Sequence, residues 1–186
     1  DFRSRCCSAM NKPFLTIEKQ INTKALNDAV KSLSKKACYV GIAKGSEGDK
    51  RSDGGPDNHL LGFIHENGSP SANIPPRPFL VPGVKSYQEE VIKGLSKAMK
   101  LALKDDAKGC NEVLERTALK TADAVKNYMQ TADFEPLKPA TIANRNRSRL
   151  TQGKRQEEID QDASKIRPLI NTGSLRNSID GYFVEE

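Results

Sequence analysis

The sequence contains no tryptophan, and aromatic residues make up only 5% of its 186 residues. Hydrophobic residues account for 36%, which is low for a compact globular domain. This composition is expected of a subunit that gains part of its buried area from neighbouring chains, and equally of a partly disordered monomer. The length is still sufficient for one domain with a core of its own.

Long apolar runs are also lacking. No segment approaches the ~18 consecutive apolar residues that mark a membrane-spanning helix, so no membrane partner is expected. The N-terminus lacks the apolar core of a signal peptide. Because Met10 looks like a natural start, we interpret residues 1–9 as an extension and residues 10–186 as a single domain.

Motifs for catalysis and metal binding are missing as well. His65 and Glu66 begin like the zinc-protease helix motif, but Ser69 stands where the second histidine is required. The phosphate-binding loop motif is also absent, because Gly54-Gly55 is not followed by glycine, lysine and serine or threonine. Cysteine spacing matches no zinc or redox pattern, which favours reduced thiols in a cytoplasmic protein. The cysteines are Cys6, Cys7, Cys38 and Cys110. We therefore predict no enzyme activity, no metal and no cofactor.

Positive charge is in modest excess, with a net charge of +6. Residues 136–156 concentrate it in a basic arm that contains no acidic residue. Its basic residues are Lys138, Arg145, Arg147, Arg149, Lys154 and Arg155. Guanidinium groups bind phosphate oxygens well, so the arm could contact DNA, dock on a neighbouring subunit or form a solvated loop. The arginines alternate with asparagine and serine, which favours neither burial nor an amphipathic helix.

Apolar residues recurring at three and four predict four helices. The first carries Leu26, Val30 and Leu33, and the second spans residues 58–66 and stops at Gly68. A long helix is predicted from Val84, with a break at Gly109. The next helix has Asn111 as its predicted cap, and its apolar face is predicted to hold Leu114, Ala118, Ala122, Val125 and Met129.

Two β-strands are predicted, at residues 37–42 and 174–184. Residues 45–57 are polar and rich in glycine, which predicts a mobile loop. Five prolines within residues 70–82 predict a stiff, extended segment, because proline is excluded from helix interiors and central strands. The predicted fold class is α+β: a small antiparallel β-sheet packed with two long α-helices, with an extended proline-rich segment and mobile loops.

Four motifs follow one another in an order that resembles a known family. They are Ile64-His65-Glu66-Asn67-Gly68, Ile74-Pro75-Pro76-Arg77-Pro78-Phe79-Leu80, Pro136-Leu137-Lys138-Pro139-Ala140-Thr141-Ile142 with Arg145, and Pro168-Leu169-Ile170-Asn171-Thr172-Gly173-Ser174-Leu175-Arg176-Asn177-Ser178-Ile179. Together they resemble the tail-completion (virion-morphogenesis, minor tail) proteins of tailed bacteriophages, which sit in the neck between head and tail. Asn67 replaces an expected aromatic residue, and Asn171 replaces an expected aspartate.

The resemblance spans residues 25–184 and implies a structural subunit that forms a ring around the DNA channel, between the portal or connector and the tail tube. Arg77 and Phe79 are expected to hold the proline-rich segment in place. The interaction residues that the motifs imply are Glu66, Gly68, Pro75, Pro76, Arg77, Pro78, Phe79, Thr172, Gly173, Leu175, Arg176, Ser178 and Ile179.

The expected partners follow from the same resemblance. A ring of six copies would match the tail, with twelve copies as the head-side alternative. Other neck, connector and tail-tube proteins and genomic double-stranded DNA are the further expected contacts, and the expected location is the virion, with assembly in the host cytoplasm. The alternative is a stand-alone basic nucleic-acid-binding protein, or an assembly factor that does not stay in the virion.

Overall fold

The computed structural model describes residues 23–45, 49–51, 55–153 and 166–185. These residues confirm the predicted α+β class, with several helices and a two-stranded antiparallel sheet. In chain order the elements are α1 (Thr23–Ser34), β1 (Lys36–Gly41), α2 (Asn58–Asn67), a 3₁₀ turn (Pro70–Ala72), α3 (Leu80–Ser86), α4 (Gln88–Ala102), α5 (Ala107–Thr131), α6 (Pro139–Thr151), α7 (Ser174–Asn177) and β2 (Asp180–Glu185).

Helix α5 is the element on which most of the chain packs. It is 25 residues long, and α3, α4 and both strands lie against it. Its predicted apolar face is confirmed, because all five predicted residues are at most 4% exposed: Leu114, Ala118, Ala122, Val125 and Met129. Apolar residues at this periodic spacing are the strongest sequence signal of a helix with one buried face.

The predicted start of α5 is wrong. The helix begins before Gly109, and its cap is Asp106, whose Oδ1 accepts a hydrogen bond of 2.9 Å from the Gly109 backbone N–H. Aspartate is a strong N-cap residue because its carboxylate satisfies an N–H group that has no partner within the helix. Gly109 therefore lies in the first turn of α5, and Asn111 does not cap it.

The sheet consists of β1 and β2 in antiparallel register. Lys36 lies opposite Glu185 at one end, and Gly41 lies opposite Asp180 at the other. One face of the sheet rests on α5, where Gly181 approaches the backbone of Ala118 closely. A side chain at this position would overlap that backbone, so the glycine permits the contact.

The C-terminal strand is shorter than predicted. Ser174–Asn177 form one helical turn, and β2 begins only at Asp180. Leu175 and Ile179 are four residues apart and both buried, at 4% and 0% exposure. A helical turn brings both side chains to the same side, whereas an unbroken strand would space them along its length.

The helix predicted from Val84 starts earlier and is interrupted. Helix α3 begins at Leu80, and a break at Tyr87 separates it from α4. Pro82 therefore lies in the first turn of a helix, where its missing N–H would have no helical partner in any case. The proline-rich segment was predicted to be extended over residues 70–82. It is extended over residues 75–79, but residues 70–72 form a 3₁₀ turn and residues 80–82 belong to α3.

Helix α1 exposes the face that was predicted to be apolar and buried. Leu26 is 44% exposed and Val30 is 55% exposed, whereas Ala29 is 6% exposed. The helix therefore contacts the rest of the chain through Ala29 and through Leu33, which packs against the core around Ala98 and Leu114. Leu26 and Val30 remain on the surface.

Residues 139–151 form helix α6, which the sequence pattern did not predict. Pro139 occupies the first turn, where its fixed φ angle favours helix formation. Arg145 and Arg149 are half-buried on one face, and Arg147 is exposed. Polar residues with adequate helix propensity form this helix, and two backbone carbonyls outside it accept hydrogen bonds from its Arg145.

Some predictions fall outside the described residues. These are the N-terminal extension (residues 1–9), Lys154 and Arg155. The predicted mobility of residues 45–57 likewise stays a prediction for 46–48 and 52–54. Among the helices that the structure describes, none combines the length and apolar character needed to cross a bilayer.

Replacing Gly181 with alanine is expected to destabilise the protein by about 3 kcal/mol, because the added methyl group would collide with the Ala118 carbonyl and force β2 away from α5. The matched control is Gly41→Ala at the C-terminal end of β1, opposite Asp180, where an added Cβ meets no atom within 4 Å. Urea unfolding monitored by circular dichroism measures both variants. Equal unfolding midpoints for the two would contradict the close packing of β2 on α5.

Candidate functional site

The four sequence motifs converge at one place, which we call the motif junction. It comprises the C-terminal end of α2, the extended residues 75–79, the linker at 132–138, helix α6 and residues 167–170. Hydrogen bonds between side chains and backbone connect these segments, although they are far apart in sequence.

Glu66 caps a helix that begins 14 residues after it. Its Oε2 accepts hydrogen bonds from the backbone N–H groups of Phe79 and Leu80, at 2.7 and 2.8 Å. Its Oε1 accepts a third from Val81 at 3.0 Å. A carboxylate at a helix N-terminus satisfies unpaired N–H groups and interacts favourably with the helix dipole. Glu66 therefore supports the fold and is not available as a general acid or base.

Arg77 ties the extended segment to the linker after α5. Its side chain is 5% exposed, and its Nε and Nη2 donate to the backbone carbonyls of Glu135 and Pro136, at 2.9 and 3.2 Å. Its backbone N–H donates to the His65 carbonyl at 2.7 Å. Phe79, at 2% exposure, anchors the same segment in the core.

Gly68 makes the turn between α2 and the proline-rich segment. Its φ angle is +78°, in the left-handed region, and an added Cβ would lie 3.0 Å from the Pro76 nitrogen. Glycine is required where both conditions meet. Of the neighbouring prolines, Pro75 is half-buried, whereas Pro76 and Pro78 are exposed.

The C-terminal motif is largely internal. Leu175, Ser178 and Ile179 are buried, and the Ser178 hydroxyl donates to the Leu175 carbonyl at 2.8 Å. Arg176 Nε donates to the Lys126 carbonyl on α5 at 3.4 Å. Gly173, at φ +83°, starts α7, and Thr172 is exposed. Among the predicted interaction residues, those exposed to solvent are therefore Pro76, Pro78 and Thr172.

The predicted basic residues that the structure describes, Lys138, Arg145, Arg147 and Arg149, do not form one surface. Arg145 is half-buried, and its Nη1 donates to the backbone carbonyls of Arg167 and Ile170, at 3.1 and 3.3 Å. Lys138 Nζ donates to the Asn73 carbonyl at 2.8 Å. Arg147 is exposed on the other side of α6. Two of the predicted cations thus hold the chain together, and Arg147 remains available for an external contact.

His65 is surrounded by arginines that sequence reasoning did not associate with it. Burial, followed by the positive charges of Arg77, Arg145 and Arg51, lowers the pKa of His65 to about 4. Its Nδ1 is buried and makes no hydrogen bond within the described part of the chain. No local motif could have revealed this grouping, because Arg77 and Arg145 follow His65 by 12 and 80 residues.

Asp49 is a second buried group that the sequence did not reveal. It is 1% exposed and lies at the start of α2, where its carboxylate accepts hydrogen bonds of 2.8 Å from the Gly45 and His59 N–H groups. The Gly45 hydrogen bond is the main reason that the pKa of Asp49 falls to about 2. One ligand-type atom each from Asp49, Asp57 and His59 lies within 4.8 Å of the others. Both oxygens of Asp49 already accept protein N–H groups, so this cluster serves as a helix cap.

Comparison of the chain with protein-family models, curated proteins and solved structures gave no significant match. The family resemblance therefore stays a prediction from the sequence motifs. The motif junction supplies backbone ties and buried anchors, and its exposed residues include Pro76, Pro78 and Arg147. The surfaces that the described residues leave exposed are the basis for a functional proposal.

Glu66→Ala is expected to destabilise the protein by about 2–4 kcal/mol, and Glu66→Gln by about half as much, because three backbone N–H groups lose a charged acceptor. Glu115→Gln, on the exposed side of α5, is the control and should change stability by less than ~0.5 kcal/mol. Chemical denaturation provides the measurement. A Glu66→Gln midpoint equal to that of the control would show that the cap is dispensable.

The low pKa of His65 predicts a loss of stability on acidification. In the unfolded chain the imidazole takes up a proton near pH 6.5, but in the folded chain only near pH 4. The stability that neutral His65 contributes to the folded chain is therefore fully present above pH 6.5 and is lost as the pH falls towards 4. At pH 5 the loss should be about 1–2 kcal/mol. The free energy of unfolding, measured at pH 7 and pH 5, should fall by this amount in the wild type and by less in His65→Gln. Equal losses in the two proteins would contradict the lowered pKa of His65.

Proposed function

We propose that the protein is a structural subunit that assembles with copies of itself in the neck of a tailed bacteriophage. In this role it completes the tail and forms a closed ring around the DNA channel, between the portal or connector and the tail tube. The motif order supports the neck assignment. The observation that carries the assembly role is a set of aligned apolar side chains that the fold leaves uncovered.

The first uncovered surface is a stripe along α4. Its residues recur at helical spacing and are each at least 45% exposed: Ile92, Leu95, Met99 and Leu103. The opposite side of the helix packs on α5 through Ala98, at 1% exposure. Single exposed apolar residues are normal, but a continuous stripe opposite a packed face is typical of a protein–protein contact.

The second uncovered surface lies on α2 and α3. Phe63 is 66% exposed, Leu60 is 45% exposed, and Val81 at the start of α3 is 52% exposed. A ring of identical subunits requires two different surfaces on each subunit, because each contact joins one surface to the other. The α4 stripe and the α2–α3 patch supply such a pair, which favours a ring over a symmetric dimer.

The remaining features fit the same role. Extended, exposed prolines lose little conformational entropy on docking, so Pro76 and Pro78 suit a fixed contact with a neighbouring neck, connector or tail-tube protein. Exposed Arg147 and the net charge of +6 suit the proximity of genomic double-stranded DNA. Six copies would match the tail, and twelve the head side. The subunit would act without catalysis, in the virion after assembly in the host cytoplasm.

The alternative is a stand-alone nucleic-acid-binding protein or an assembly factor that leaves the particle. Basic helix α6, with Arg147 pointing to solvent, favours nucleic-acid binding. That alternative requires DNA affinity in the free monomer that falls steeply with salt. The neck assignment requires weak binding of free DNA and a fixed position in the particle.

Cryo-electron microscopy of intact tailed particles that contain this chain tests the assignment directly. The expected result is a closed ring of this subunit between portal and tail tube, which would also give the copy number. Absence of the chain from purified particles would overturn the neck assignment in favour of an assembly factor. Steep salt-dependent DNA binding by the monomer would favour the stand-alone alternative.

Placing charge on the α4 stripe is expected to block assembly without unfolding the subunit. The variant Leu95→Lys with Met99→Lys should reduce the amount of this chain in purified particles by about tenfold or more, because desolvating two unpaired cations opposes the contact. Ser96→Lys, at another exposed position of α4, is the matched control. Mass spectrometry quantifies the chain, and thermal unfolding verifies the fold. Normal incorporation of the double variant would exclude the stripe as an interface.

A further inference from the structure

Three arginines of the motif junction are brought together by the fold. Arg145 and Arg149 are four residues apart and share one face of α6, and the Arg77 guanidinium donates to the Glu135 and Pro136 carbonyls of the linker that leads into α6. Their proximity has an electrostatic signature: after burial, the charges of Arg149 and Arg77 lower the pKa of Arg145. Like charges are therefore held together within one partly buried region.

None of these arginines is paired with an acidic side chain of the described residues. Arg77 and Arg145 donate to four backbone carbonyls, which are neutral acceptors. The ion pairs of the described chain lie elsewhere, between Lys36 and Glu185, Lys93 and Glu90, Lys126 and Asp123, and His59 and Asp49. Collecting partly buried cations without a counter-charge is unfavourable, so an anion that neutralises them would stabilise the fold.

Polar groups in this region also lack hydrogen-bond partners. Nη1 of Arg149 and Nδ1 of His65 are buried and have no hydrogen-bond partner within the described part of the chain. Buried guanidinium donors are satisfied in nearly all proteins, so an unsatisfied one indicates a missing acceptor. Arg145 and Arg149 are only half-buried, which leaves a route for an ion from solvent.

We propose that Arg77, Arg145 and Arg149, adjacent to His65, form a binding site for a phosphate group. A phosphate carries the missing negative charge and several acceptor oxygens, and guanidinium groups bind it through paired hydrogen bonds. The phosphate comes either from solution or from a DNA backbone. Exposed Arg147 is not part of this site. The site does not depend on the neck assignment, because it is defined within one subunit.

Isothermal titration calorimetry of the full chain with inorganic phosphate, at constant ionic strength maintained with chloride, tests the site. We expect saturable binding of one phosphate per chain. Arg149→Gln should weaken it by about tenfold or more, since this side chain makes no hydrogen bond to the described backbone that the fold would lose. Arg147→Gln, two residues away on the exposed face, is the matched control and should bind as the wild type does.

A second measurement separates binding at the site from general charge effects. Arginine Nε resonances observed by NMR should shift on phosphate addition for Arg77 and Arg145 and not for Arg147. Absence of saturable binding, or equal weakening by Arg149→Gln and Arg147→Gln, would overturn the proposal. Binding that appears only after neutralisation of the acidic run Glu157, Glu158, Asp160 and Asp162 would also overturn it, because the chain would then supply its own counter-charge.

A short DNA duplex of about 20 base pairs distinguishes the two sources of phosphate. The DNA backbone is identified as the source if the duplex competes with inorganic phosphate and if duplex binding depends less on salt in Arg149→Gln than in the wild type. Phosphate binding that the duplex does not affect identifies free phosphate. Both outcomes support the site. Failure of the site would leave the particle-imaging test of the neck assignment unaffected, so the two proposals can fail independently.

Discussion

The carboxylate of Glu66 is the interaction on which the arrangement of the chain depends. By accepting the N–H groups of Phe79, Leu80 and Val81, it joins the end of α2 to the start of α3 across a proline-rich segment that forms few backbone hydrogen bonds. Helix α3 in turn packs on α5, where Gly83 allows close approach to Val125. A single charged acceptor thus determines how the N-terminal part of the chain meets the central helix.

The motif residues mostly connect parts of the same chain. Arg77 and Arg145 bind backbone carbonyls, Gly68 permits a tight turn, and Ile179 fills the core. In the proposed assembly, contacts with partners would therefore come largely from other residues. The α4 stripe and the α2–α3 patch are suited to this, because apolar surface left uncovered by a lean core gains stability only when another chain covers it.

The sequence-based predictions for residues 139–151 and 174–184 differ from the structure because tertiary contacts competed with the local pattern. Helix α6 carries no apolar stripe, so hydrophobic periodicity did not predict it. Its Arg145 donates hydrogen bonds to the backbone carbonyls of Arg167 and Ile170, and only the tertiary structure shows these contacts. The alternation over residues 174–184 indicated a strand, but Ser174–Asn177 form a helical turn whose Leu175 packs in the core with Phe79 and Val125. In both cases hydrogen bonds and packing from distant segments outweighed a weak local preference.

The sequence by itself determined the α+β class, the buried face of α5, the stop of α2 at Gly68 and the strand at β1, because each rests on local periodicity or on the conformational range of one residue. Tertiary structure alone decided that Glu66 caps α3, that Asp49 is buried at α2, and that Arg77 and Arg145 lie near His65. Those groupings join residues up to 80 positions apart. Their energies depend on distance and burial, which no local pattern encodes.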